Sequence, residues 1–246
     1  MSESQASIRL QKFLSERGIC SRRAAEMMIA DGLISVNGKA ATLGQKIDPE
    51  TDKVVVEGRS VKAGAPASVT IAMHKPRGVL CSNSDPHHDK TIFHYVPSPW
   101  NKERLYCAGR LDKDSEGLLI LTNDGELTQK LTHPSHHIIK RYYVTLTRPF
   151  DLSHIPMMLR GFDDQEAGEH LKAEKVFVAK GGPLADRQIE VHLDHGRKRE
   201  IRRLVEHFGY FVDKLIRYQI GSLQLKGLGV GRCKLLTNKE IALLFK

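Results

Sequence analysis

Two short stretches near the start of the chain carry apolar residues at helical spacing: Leu10, Phe13 and Leu14, then Ala25, Met28 and Ile29. Ser21 stands where the second needs an N-cap, because its hydroxyl can accept from a first-turn amide, and Gly32 is the residue type that ends such a helix. Val36-Asn37-Gly38-Lys39 predicts a tight hairpin, since Asn-Gly tolerates the positive φ values of a type I′ turn. One more strand is predicted over 53–57. The small, flexible stretch KAGAPAS that follows reads as a linker, which gives a first domain over 1–62, a linker over 63–68 and a second domain over 69–246.

Beyond residue 69 the pattern changes to β-rich runs bounded by turn residues: VTIAMHK, GLLILT, KRYYVTLT, RQIEVHL and FVDKLIR. Helices interleave with them. The clearest spans 197–208, where Ile201, Leu204, Val205 and Phe208 share a face, and another is predicted over 238–245. Many strands, few helices and no strict βαβ alternation predict an α+β domain around a mainly antiparallel sheet.

Charge sharpens this picture. The chain has 246 residues and a formal net charge of +9. Residues 196–246 hold twelve Lys/Arg against four Asp/Glu, and the segment from Arg9 to Lys39 holds six against three. Two separated basic zones suit a polyanion that touches both parts of the protein, although ordinary solvated faces would read the same way. The four cysteines, Cys20, Cys81, Cys107 and Cys233, are far apart and include no C-x-x-C pair, so free thiols in a reducing cytoplasm are expected. No apolar run approaches a membrane-spanning length of about 18 residues, and no metal or other cofactor is expected.

In the first domain, Arg22 and Arg23 stand in the first turn of a helix, where the macrodipole disfavours cations. With the exposed backbone N–H groups of that turn they could form a phosphate-binding corner, flanked by Lys12 and Lys39, or merely pair with Glu26 along the helix. In the second domain, Gly109-Arg110-Leu111-Asp112-Lys113-Asp114-Ser115-Glu116-Gly117 is a polar loop leading into an apolar strand. Its acidic spacing imitates the start of a calcium loop but lacks the closing glutamate, since Asn123 stands there. Asp112 could also be a loop carboxylate paired with Arg110. His133, His136 and His137 are close in sequence, but no cysteine or carboxylate completes a tetrahedral metal set.

The run RLQKFLSERGICSRRAAEMMIADGLISVNGKAATLGQKI resembles the S4 RNA-binding domain, and GRLDKDSEGLLILTNDG resembles the central motif of the pseudouridine synthases, in the RsuA-like branch that joins an S4 domain to the catalytic domain. Lys140-Arg141-Tyr142 matches that family's K-x-Y strand, and Gly196-Arg197-Lys198-Arg199-Glu200-Ile201-Arg202-Arg203-Leu204 its basic third motif, with Glu200 where many relatives carry glutamine. The resemblance implies a small N-terminal S4-type α/β domain linked to a larger, mainly antiparallel catalytic domain. It implies Asp112 as the catalytic carboxylate, Tyr142 packed on the target base and Arg202 paired with the carboxylate. RNA contacts are implied for Lys12, Ser21, Arg22, Arg23 and Lys39, with Arg110, Lys140, Arg197 and Arg199 as candidates around the site. Tyr143 should point to the opposite face of its strand, where core packing is the plainer role.

The chemistry expected is isomerisation of a uridine in ribosomal RNA, 23S before 16S or transfer RNA, on a single-stranded or stem-loop segment that could belong to an assembling subunit, by a monomer. A carboxylate acting as nucleophile or base must be ionised near C1′, and a guanidinium beside it would hold it so. The target nucleotide must leave its stack, and an aromatic face offsets that cost. The competing readings are a non-catalytic RNA-binding assembly protein and another RNA enzyme such as a methyltransferase, though no Gly-rich cofactor loop follows a strand.

Overall fold

The computed structural model describes residues 7–61, 64, 66–82 and 90–246. Within the expected linker, residues 63 and 65 lie outside these. The chain divides into two compact units, Met1–Ser68 and Val69–Lys246.

The first unit runs β1 (Ile8–Arg9), α1 (Leu10–Glu16), α2 (Arg22–Ala30), β2 (Ile34–Val36), β3 (Lys39–Ala40), β4 (Lys46–Ile47), β5 (Val54–Val56) and β6 (Arg59–Ser60). Of the predicted inward positions, Leu10, Phe13 and Leu14 from α1 meet Ala25 and Ile29 from α2 in its core, with Met28 only partly buried against it, and Ile34, Val36 and Val54 from the hairpins complete it. Ser21 caps α2 by accepting from the Ala24 N–H at 3.0 Å. Asn37 and Gly38 take φ values of 52° and 77°, and β2 pairs antiparallel with β3 across them.

The second unit contains β7 (Thr70–Lys75), β8 (Tyr106–Cys107), β9 (Glu116–Thr122), α3 (Gly125–Thr132), β10 (Lys140–Leu146), α4 (Ile155–Arg160), β11 (Phe162–Asp164), β12 (Glu169–Leu171), β13 (Lys175–Val178), β14 (Gln188–Leu193), α5 (Glu200–His207), β15 (Val212–Ile220), β16 (Leu223–Gln224), β17 (Cys233–Leu235) and α6 (Asn238–Leu243). One sheet dominates it, in the order β13-β14-β10-β15-β9-β7-β17, with β16 on β15 and β8 on β9. Every pairing is antiparallel except β15 with β9, where Ile216 and Arg217 face Glu116 and Gly117.

Burial on both faces explains why β9 reads as an unbroken apolar run. Leu118 and Ile120 pack with Leu127 and Leu131 of α3, whereas Leu119 and Leu121 join Ile71 and Met73 of β7 on the other side. A third apolar cluster joins Val144 and Val191 to Ile201, Leu204 and Val205 of α5. The sequence predicts a turn at Asn123-Asp124-Gly125; Asp124 is instead the N-cap of α3, accepting from the Glu126 and Leu127 amides. The helix expected over 197–208 is shorter, because Arg199 adopts a left-handed φ of 53° and α5 starts at Glu200.

Candidate active site

The polar loop 109–115 is held from below by a lysine that the motif does not include. Lys75, at the end of β7, is fully buried. Its Nζ donates to Ser115 O at 2.8 Å, Pro76 O at 3.0 Å and Lys113 O at 3.2 Å. An ammonium matches this cluster because it has three donors for three carbonyls and no acceptor to leave idle. Burial pushes its pKa down, while Asp112 and Asp114 oppose that. The loop also closes on itself through Ser115 N–H to Asp112 O at 3.0 Å. Asp112, half-buried, is thereby presented at the head of a braced turn.

Gly117 follows with φ at +121°. A Cβ there would lie 2.3 Å from Arg217 O and 2.6 Å from Arg217 N, so only glycine lets β15 run beside β9 at this point. That approach brings Arg217 beneath the loop. Its side chain is 3 % exposed, and its Nε donates to Leu118 O at 2.8 Å. Across the other edge of β15, Arg217 faces Tyr142 of β10 in register.

Asp112, Tyr142 and Arg217 line one cavity of about 730 Å³, together with Cys81, Arg110, Lys140, Arg197 and Arg199. A volume of this order suits a group the size of a single nucleotide. Tyr142 is 6 % exposed, and burial pushes its phenol pKa up, against Arg217. Lys140 donates to Ile138 O at 3.0 Å, and burial, aided by Arg217, pushes its pKa down to about 8. The Leu111 N–H donates to the Cys81 thiol at 3.5 Å, and a hydrogen bond with Cys107 lowers the Cys81 pKa while raising that of Cys107.

Two further carboxylates reach the cavity, Asp194 and Glu200. Both are engaged. Asp194 lies 2.9 Å from His137 and 2.8 Å from His195; Glu200 lies 3.2 Å from His195 and accepts from the Arg197 N–H at 3.0 Å. Among the described residues no hydrogen bond or ion pair engages the Asp112 carboxylate, which leaves it available to a substrate. Glu174, Asp194 and His195 bring potential metal-ligating atoms within 4.8 Å of one another, but Lys172 already lies 2.8 Å from Glu174, and His137 and His195 lie 2.9 and 2.8 Å from Asp194.

Arg202 corrects an expectation. It is buried, as a site residue would be, and is not a wet partner of Glu206. Its guanidinium meets carbonyls, though: Nη2 donates to Asp114 O at 3.2 Å and Nη1 to Val212 O at 3.3 Å. Asp112 is felt only as a nearby charge, alongside Asp114, in a setting where burial lowers the Arg202 pKa. Arg202 thus fastens α5 to the Asp112 loop through its backbone. Tyr143 differs too: it is 49 % exposed and stacks on Tyr218 at 4.1 Å on the outer face of the sheet, so it is not a core residue.

In the first unit, Lys12 and Arg22 share a small basic hollow with Arg9 and Lys46, two cations that the sequence reading passed over. Lys12 lies 3.5 Å from Glu16. Glu26 accepts from Gln11 Nε2 at 3.1 Å rather than pairing with the exposed Arg22 and Arg23. Lys39 is exposed and Ser21 is spent on the helix cap, so neither joins the hollow.

Lys75 and Arg217 were missed by sequence reasoning although a trace of each was present. Each is a cation at an inward position of an apolar strand, Arg217 falling between Leu215 and Gln219 on the buried face.

Comparison with known proteins agrees with this arrangement. Residues 69–207 match the model of the RNA pseudouridylate synthase family and residues 8–54 that of the S4 domain. The dual-specificity RNA pseudouridine synthase RluF of Escherichia coli K12 is 38% identical over 98% of this chain and 79% of its own length. An uncharacterized RNA pseudouridine synthase of Mycobacterium tuberculosis H37Rv is 36% identical over 97% of the chain and 93% of its own. A crystal structure of a pseudouridylate synthase superposes with a TM-score of 0.68 at 29% identity, over 97% of this chain and all of that one.

Proposed function

Because the chain belongs to the RNA pseudouridylate synthase family and carries an S4 domain, it isomerises uridine in RNA, and we propose that Asp112 is the carboxylate that does so. The observation that carries this reading is the pairing pattern in the cavity. Of its three carboxylates, Asp194 and Glu200 lie against histidines, while Asp112 lines the pocket from a loop pinned by Lys75.

Isomerisation breaks the N1–C1′ bond, turns the uracil and joins C5 to C1′. It consumes no redox equivalent. Asp112 acts on the sugar as nucleophile at C1′ or as base, and both roles need the ionised form. Tyr142 takes one face of the flipped base, and its raised pKa keeps it neutral there. Arg202 is a positioning residue, holding α5 to the carbonyl of Asp114. Arg110, Lys140, Arg197 and Arg199 are the cations at hand for the flanking phosphates. The first unit adds affinity through Lys12, Arg22, Arg23 and Lys39, and residues 69–246 carry the chemistry, joined through 63–68.

The resemblance to the RsuA-like branch and the two basic zones favour ribosomal RNA, with a 23S uridine in a single-stranded or stem-loop segment ahead of 16S, modified in the cytoplasm by a monomer. RluF, by its name, has dual specificity, so a second RNA belongs in the test. Pseudouridine mapping of ribosomal and transfer RNA from cells lacking this gene should reveal missing modifications, restored by the wild-type gene and not by Asp112→Asn. The purified Asp112→Asn protein should bind that RNA and melt like wild type, since volume is kept and only the ionisable oxygen is replaced. Full turnover by it would remove Asp112 from the chemistry.

A further inference from the structure

Cys81 and Cys107 are nucleophilic groups that the reaction on uridine does not use, yet they meet beside the loop that carries Asp112. Their backbones are fixed. Cys107 ends β8, paired with Leu121 of β9, and the Ala108 N–H after it donates to Ile120 O at 2.9 Å. Cys81 follows Leu80, which bridges to Thr91 and whose carbonyl accepts from the Ile92 N–H at 3.0 Å. The two thiols are in hydrogen-bonding contact and both are half-buried, with Cys81 in the cavity wall. Cys81 Sγ also accepts from the Leu111 N–H at 3.5 Å, immediately before Asp112, and Cys107 lies just ahead of Gly109, where the loop begins.

A thiol that only fills space behaves as Cys233 does: burial pushes its pKa up, to about 11. Cys81 is displaced the other way. Its hydrogen bond with Cys107 lowers its pKa most, and the Leu111 N–H and the charges of Lys75 and Arg217 act in the same direction, against the cost of burial. Cys107 is raised in return, chiefly because it is the donor to Cys81. One sulfur of the pair is therefore the better nucleophile and the other keeps the proton, which divides them into an attacking and a resolving thiol.

We propose that Cys81 and Cys107 form an oxidation site for hydrogen peroxide, closing to a disulfide that displaces the Asp112 loop and slows turnover until a thiol reduces it. The Cys81 thiolate attacks one peroxide oxygen, the O–O bond breaks and the departing hydroxide takes up a proton, leaving a sulfenic acid and one water. The negative charge on Cys81 is then gone, and with it the main cause that holds the proton on Cys107. The Cys107 sulfur attacks the sulfenic sulfur, the S–O bond breaks, and the oxygen leaves with the Cys107 proton as a second water. Two thiols have given up two electrons, and one peroxide has become two waters. Drawing the sulfurs from contact into a covalent bond shifts Cys81 against the Leu111 N–H, and a misplacement of about 1 Å at a reacting group can cost about 10²-fold in rate. The disulfide forms whatever Asp112 does; its effect on turnover rests on the reading of Asp112 above.

The test treats the reduced full chain with hydrogen peroxide, quenches it with catalase and follows single turnover on the mapped RNA before treatment, after it and after dithiothreitol. Remaining thiols are alkylated and the peptides mapped by mass spectrometry. A Cys81–Cys107 disulfide should form while Cys20 and Cys233 stay open to alkylation. Turnover should fall by about 10–10²-fold and return with dithiothreitol. Cys107→Ala should keep the reduced rate and form no disulfide, and dimedone should trap a sulfenic acid on Cys81 instead. The midpoint of the pH dependence of Cys81 alkylation by iodoacetamide should lie below the ordinary thiol value of about 8.5 and rise in Cys107→Ala, a change that space filling would not produce. Absence of the disulfide, equal oxidation of Cys20 or Cys233, a disulfide that leaves turnover unchanged, or a loss that dithiothreitol does not reverse overturns the proposal. Asp112→Asn should close the same disulfide as readily as wild type; if it does so and also turns over RNA, only the Asp112 reading falls.

Discussion

Replacing Lys75 by Met isolates the contribution of a buried ammonium, because the two side chains have similar length and the change leaves no large hole. Three carbonyls lose their donor: Pro76 O, Lys113 O and Ser115 O. Each stranded acceptor costs about 1–3 kcal/mol, for a gross loss of about 3–9 kcal/mol. Against this stands relief from burying a charge, worth several kcal/mol. A net destabilisation of about 3 kcal/mol follows. For a unit of this size each kcal/mol lowers Tm by about 2–4 °C, so Lys75→Met should melt about 6–12 °C below wild type. Urea denaturation should show a lower midpoint at unchanged slope. Two of the three carbonyls belong to the loop that presents Asp112, so turnover well below the melting range should fall too, with RNA affinity retained. A loss under about 1 kcal/mol with full turnover would refute the claim that this lysine braces the loop.

Gly117→Ala should destabilise the second unit by more than about 3 kcal/mol or prevent its folding, because the added Cβ would meet the Arg217 backbone at 2.3 Å; a wild-type urea midpoint would contradict that close approach. Arg202→Met should lower both stability and turnover, and because its partners are carbonyls rather than the Asp112 carboxylate, raising the pH should not restore activity; recovery at high pH would reinstate a direct ion pair. For Lys140 the folded pKa is depressed to about 8 from 10.5, so the folded state releases this proton first. The penalty is fully present below about pH 8 and is relieved as pH rises from there to 10.5. Wild type should therefore gain stability over that window relative to Lys140→Met, and parallel stability curves would refute it.

How legible the molecule was from its sequence varies residue by residue. The first unit could be read almost entirely, because its signals are local: Ser21 caps the turn that follows it, Asn37-Gly38 makes the hairpin and the apolar positions at helical spacing become the core. The Asp112 loop was legible as a motif, and its descent into an apolar strand followed from composition. Short helices were less so. Asp124 reads as a turn residue, and it becomes a cap because Leu127 and Leu131 find a sheet to cover, against Leu118 and Ile120.

What only the tertiary structure decided is which charge meets which partner. Sequence offered Arg202 a carboxylate, either Asp112 or Glu206, and the fold gave it the carbonyls of Asp114 and Val212. Lys75 and Arg217 lie 37 and 105 residues from Asp112 by their numbering, yet one braces its loop and the other shares its cavity. Periodicity can say that a strand residue points inward. It carries no information about which strand lies alongside, and here the parallel pairing of β15 with β9, admitted by the missing Cβ of Gly117, made a cation on one strand part of the site on the other. Secondary structure follows from forces acting within a few residues, whereas an active site is assembled from contacts whose partners are chosen only when the sheet closes.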